Sequence, residues 1–174
     1  MEVDVIIEDR RWTEAGLEAL AAHGVGAVLA HLGLDDRNCE IAVLGCDDAR
    51  IAELNSEFRG KAQATNVLSW PSDERGAEVA GARPELPEGD GELGEIAIAF
   101  ETCAREAEAA GRPMPDHVLH LVVHGTLHLL GYDHERAADG DLMEAIETAI
   151  LAQLGVPDPY GETGRTGFID DGKD

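Results

Sequence analysis

The chain has 174 residues, enough for one domain with a real core, and 44% of them are hydrophobic, which sets it apart from disordered sequences. Its 13 basic and 36 acidic residues give a net charge of −23, which counts against a protein that grips nucleic acid by neutralising many phosphates. No apolar run approaches the ~20 residues of a membrane span, the N-terminus lacks the basic-then-apolar start of a secretory signal, and the isolated Cys39, Cys46 and Cys103 read as reduced core thiols of a cytoplasmic protein.

In chain order, "VDVIIED" (3–9) alternates and is rich in β-formers, so it predicts a strand. Residues 13–31 predict a helix opened by Thr13, with Gly24 and Gly26 weakening its middle. "EIAVLG" (40–45) predicts a second strand. A helix follows, capped by Asp47 or Asp48 and stopped by Gly60, with Ile51, Leu54 and Phe58 on one stripe. "NVLSW" (66–70) predicts a short strand. Residues 71–92 hold three prolines and four glycines and read as an exposed, mobile acidic loop. "LGEIAIAFE" (93–101) predicts a fourth strand, and helices are expected over 101–110, 115–130 and 136–154. The tail 156–174 has few core formers and is expected to be loosely ordered. The order implies one α+β domain over 1–155: a small mixed four-stranded sheet packed with about five helices.

The acidity is not confined to appendages. Net −5 lies in 71–92 and net −3 in 155–174, which leaves −15 on the rest. Such a body suits a basic protein partner, or a small local cationic site.

"HGTLHLLGYDH" (124–134) carries the chemistry. His124 and His128 are four apart, so on a helix both imidazoles project from one face. Gly131 can adopt the left-handed conformation that ends a helix, which lets His134 approach the same ion from another direction. Three imidazoles with one position left for water are the ligand set of a catalytic zinc site. His120 lies near the same face and is a candidate to orient a ligand, whereas His117 is expected to face solvent. Asp133 and Glu135 flank His134 as candidate acceptors for a ligand imidazole, and Tyr132 is expected to pack under the site.

The spacing is that of the zinc peptidase pattern H-E-x-x-H-x-x-G-x-x-H, except that Gly125 stands where the glutamate would be. Without that carboxylate nothing at the position deprotonates water or protonates an amine leaving group. A phosphodiester makes other demands: metal lowers the pKa of bound water to about 7, and positive charge is needed near the phosphate oxygens. The glycine is also expected to leave room beside the ion for substrate.

Residues 124–134 resemble the signature H-G-x-L-H-L-x-G-Y-D-H of the YbeY family of bacterial rRNA-maturation endoribonucleases. "LNSEFRGKAQATNVLSW" (54–70) and "LGEIAIAFE" are similar to two further family segments, and the resemblance spans roughly 40–155. The family's usual Asp is Asn66 here, its Phe is Trp70, and the Asp after glycine is Glu95. The resemblance implies a single-strand-specific endoribonuclease acting in 16S rRNA 3′-end maturation and ribosome quality control. It implies one Zn2+ on His124, His128 and His134, with His124 and Arg59 as catalytic residues. The implied partners are single-stranded and small-subunit rRNA, the small ribosomal subunit and its basic proteins, with no membrane. A guanidinium suits that role, being always charged and able to hold phosphate oxygens bidentately. The competing readings are a ribosome-assembly factor with a structural zinc and a metallopeptidase.

Overall fold

The computed structural model describes residues 1–35, 37–87 and 90–160. Four strands form one sheet: β1 (Glu2–Ile7), β2 (Cys39–Cys46), β3 (Val67–Pro71) and β4 (Gly91–Ala99), in the order β1-β2-β4-β3. β1, β2 and β4 run parallel, and β3 lies antiparallel to β4 at the edge. The helices are α1 (Arg11–Glu14), α2 (Leu17–His31), α3 (Asp48–Arg59), α4 (Phe100–Ala110), α5 (Met114–Leu129) and α6 (Ala137–Gln153). The α+β class and the mixed four-stranded sheet are as expected; the sixth helix comes from a division at the N-terminus.

The helix expected over 13–31 is two helices. Gly16 sits at φ 77°, a left-handed turn that separates the single turn of α1 from α2. α1 serves to bury Trp12, whose indole N–H donates to the Cys46 carbonyl at 2.9 Å and whose ring meets Phe100 edge-on. Gly24 costs helix propensity but has a packing reason. A Cβ there would stand 2.8 Å from Val122 Cγ1, so the glycine lets α2 approach α5 closely.

Alternation along the strands divides the core between two faces. Ile41, Val43, Val67, Ile96 and Ile98 belong to the larger cluster, with α2, α5 and α6. Leu68, Ala97 and Ala99 lie on the other face with Ile51 and Leu54 of α3. α3 opens on Asp47, whose carboxylate accepts the Arg50 N–H at 2.8 Å, and closes on Gly60 at φ 71°. Every residue from His117 to Leu129 is buried, so α5 is a central helix enclosed on all sides.

Residues 72–87, within the segment expected to be an exposed, mobile acidic loop, are largely exposed and are tied to the body at several points. Arg75 Nη1 donates to the Leu129 carbonyl at 2.8 Å, Arg136 donates to the carbonyls of Ala77 and Glu78, and the Gly81 N–H donates to Asp139. Beyond α6, Val156 and Pro159 are buried, and Arg112 donates to the Pro159 carbonyl. The rest of the expected tail, 161–174, lies outside the described residues. The three cysteines are free and buried, and burial pushes the Cys46 thiol up to about 12. Among the described residues no helix is long and apolar enough to cross a membrane.

Candidate metal centre

α5 delivers His124 and His128 from the core, at 3% and 5% exposure. The helix then stops in a paired C-terminal motif: the Gly131 N–H donates to His128 and the Tyr132 N–H to Leu127, both at 3.0 Å. Gly131 has φ 100°, and a Cβ on it would lie 2.4 Å from the Arg75 carbonyl oxygen, so the turn is both left-handed and crowded. The reversal brings exposed His134 back over the helix. Its ring lies 5.6 Å from that of His124 and 5.2 Å from that of His128. The three side chains each offer a nitrogen, and these atoms lie within 4.8 Å of one another.

The hydrogen-bond partners show which tautomers suit the cluster. His124 Nδ1 faces the Glu147 carboxylate, and His128 Nδ1 faces the Tyr132 carbonyl at 2.9 Å. Both partners are acceptors, so both ring protons belong on Nδ1. The two Nε2 atoms are left with lone pairs, facing each other at 2.9 Å. Lone pairs at that distance repel unless a cation lies between them. A tetrahedral zinc at 2.0–2.1 Å from each nitrogen would set them about 3.3 Å apart, close to the spacing here. The donor set therefore fits such an ion.

Behind the histidines stands Glu147 of α6, fully buried. It accepts from His124, from His120 Nε2 at 3.3 Å and from the Tyr160 hydroxyl at 2.5 Å. Burial opposes its charge, but the histidines beside it and their hydrogen bonds hold its carboxyl well below the usual range. Burial and the Glu147 charge raise the Tyr160 phenol, which stays a donor. Burial lowers His120, which supports Glu147 and through it His124. A carboxylate on the far nitrogen of a metal-binding imidazole fixes its tautomer and raises its basicity. Sequence reasoning looked for this carboxylate at Asp133 or Glu135. Asp133 accepts the backbone N–H of His134 at 2.7 Å, and Glu135 is exposed. The missed signal is a Glu on the apolar stripe of α6, among Met143, Ile146, Ile150 and Leu151.

His117, expected to face solvent, is 1% exposed and bonds Glu106 at 2.9 Å. Glu106 also accepts from the Asn66 amide at 2.9 Å, while Asn66 Oδ1 takes the Val67 N–H. An Asp at 66 would set a second carboxylate against Glu106, a repulsion that the amide avoids. Tyr132 is buried in the larger core cluster.

Arg59 ends α3, and its Nη2 donates to the Ser69 carbonyl of β3 at 3.1 Å. Ser69 pairs with Ile96, and Ile96 packs under Gly125, so a short chain of contacts links Arg59 to the triad. Its bond is to the strand backbone rather than to an imidazole. Gly125 does not open space beside an ion. A Cβ on it would lie 3.2 Å from Ile96 Cδ1, so this face of α5 is pressed onto β4.

The chain matches the family described as Endoribonuclease YbeY over residues 3–155. Two relatives with that name come from Cereibacter sphaeroides, 61% identical over 91% of this chain and 98% of the relative, and Jannaschia sp., 56% identical over 92% and 100%. Among solved structures, the solution structure of TM1509 from Thermotoga maritima is similar in fold, with TM-score 0.53 and 21% identity over 94% of this chain and 99% of that one. With three histidines converging in front of a buried carboxylate, and with matches that run nearly end to end, the chain belongs to the YbeY family of endoribonucleases.

Proposed function

We propose that this chain is a zinc-dependent endoribonuclease that cuts single-stranded RNA, acting in the cytoplasm on the 3′ end of 16S rRNA and in ribosome quality control. The observation that carries the reading is the pair of Nε2 atoms meeting at 2.9 Å beside His134, in a chain whose relatives bear the endoribonuclease name.

His124, His128 and His134 hold the zinc, whose charge when bound acidifies water and polarises a phosphoryl group. Glu147 and the Tyr132 carbonyl keep the proton of His124 and of His128 on Nδ1, so that Nε2 stays a ligand. Arg59, on the β3 backbone, offers its guanidinium to phosphate oxygens as charge develops on them. No carboxylate at 125 protonates an amine, which favours phosphodiester over peptide cleavage. The net charge of −23 suits basic proteins of the small subunit as partners.

The test is purified protein on a single-stranded fragment carrying the 16S rRNA 3′ end, beside His124→Ala and Arg59→Ala. Wild type is expected to carry about one equivalent of zinc and to cleave, and both variants to lose cleavage. Cutting that persists in both variants marks a contaminating nuclease and overturns the assignment.

A further inference from the structure

Phe58 breaks the rule that governs the rest of α3. It continues the stripe of Ile51 and Leu54, both buried, yet it is 62% exposed. Its ring is held rather than loose: Trp70 meets it edge-on at 5.4 Å and 65°. The next residue is Arg59, tied to the outer edge of β3. Arg59 Nε and Trp70 Nε1 are buried here without a hydrogen-bond partner, two polar atoms that the fold leaves unsatisfied at this corner.

Charge says what such a corner is for. A protein at −23 gains little affinity for RNA by neutralising its backbone. An RNA-cutting enzyme with that charge needs a contact that does not depend on phosphate, and base–aromatic stacking is such a contact. A base inside a duplex has both faces covered, so a lone exposed ring accepts only an unpaired one. We propose that Phe58, braced by Trp70, is a stacking platform for one unpaired nucleobase of the RNA, with the adjoining phosphate on Arg59. The proposal rests on the RNA-cutting reading and adds a binding subsite at the β3 edge, which makes the preference for single strands a property of the surface.

The test is fluorescence anisotropy of a short labelled oligoribonucleotide, under conditions that leave it intact, with the protein as purified. The proteins are wild type, Phe58→Ala, Phe58→Leu and Phe58→Tyr. The second probe is the same oligomer with its bases removed. Phe58→Ala and Phe58→Leu are expected to weaken binding of the normal oligomer about 5- to 150-fold, the scale of one stacked base. Phe58→Tyr retains affinity, and all four bind the baseless probe alike. Phe58→Leu keeps an apolar cover over Trp70, so it carries the test if Phe58→Ala melts early. Equal affinity of Phe58→Leu and wild type, or equal losses on both probes, overturns the subsite and leaves the nuclease reading standing. A variant that binds RNA normally but no longer binds the small ribosomal subunit also overturns it, in favour of a protein contact. A wild type that neither binds nor cuts RNA overturns both.

Discussion

Changing Glu147 to Gln keeps the shape of the side chain and removes its charge. The carboxylate has no exposure and accepts from three donors, His124, His120 and Tyr160. A carboxamide has one acceptor oxygen, and its nitrogen is a donor, so at least one of the three must face an NH2 group. The metal-free protein should lose about 1.5–3 kcal/mol, the value of a hydrogen bond to a charged group. Zinc affinity should fall about 10- to 100-fold, because the orientation and basicity of His124 depend on its acceptor; that is about 1.4–2.7 kcal/mol. The two effects are separable. Denaturant unfolding in chelator reads the first, and competition with a chromophoric chelator reads the second. Tyr160→Phe, which removes one donor and leaves the charge, should produce a smaller loss in both. Zinc affinity of Glu147→Gln equal to wild type would refute the role given to this carboxylate, whatever happened to stability.

Gly131→Ala forces a side chain onto a residue at φ 100°, with its Cβ 2.4 Å from the Arg75 carbonyl oxygen. A loss of about 2–4 kcal/mol in denaturant unfolding is expected, together with weaker metal binding as His134 moves. Gly125→Glu sets a carboxylate against Ile96 inside the core, so the expected result is a loss of roughly 3–5 kcal/mol and no gain of peptidase activity; a variant that folds normally and cuts peptides contradicts the packing described. For pH, both buried groups act in the same direction. His120 has its folded pKa lowered from 6.5 and Glu147 from 4.5, so in each case the unfolded chain takes up protons first as the solution is acidified. Stability of the metal-free protein should therefore decline as pH falls below 6.5, and further below 4.5. Unfolding free energies that stay flat from pH 7 to 5 argue against this, and His120→Gln should flatten the upper part of the profile.

What was legible in the sequence was whatever depends on local periodicity. Alternation marked the strands, Asp47 and Gly60 marked the ends of α3, and the spacing of His124, His128, Gly131 and His134 carried the triad. What depends on contacts between distant elements was not legible. Glu147 lies 23 residues from His124, and Tyr160 lies 13 beyond Glu147. Charge and composition gave no sign of the ties at Arg75, Ala77, Glu78 and Gly81, because most of them run to backbone carbonyls, which no side-chain pattern reports. Gly125 and Gly24 were read by chemistry and helix propensity. Each answers instead to a neighbour, Ile96 or Val122, that only the packed fold supplies.

The family match ends at residue 155, and every histidine lies before that point. The hydroxyl of Tyr160 lies after it and reaches back to the carboxylate behind His124. The stretch of chain recognisable by its signature is thus shorter than the stretch that operates as one unit. A protein cut after Gly155 keeps all the residues that identify it. It loses the phenol that shares a buried negative charge with two imidazoles, and with it the buried Val156 and Pro159. Such a protein should fold less stably and hold zinc less tightly than its intact histidine pattern suggests.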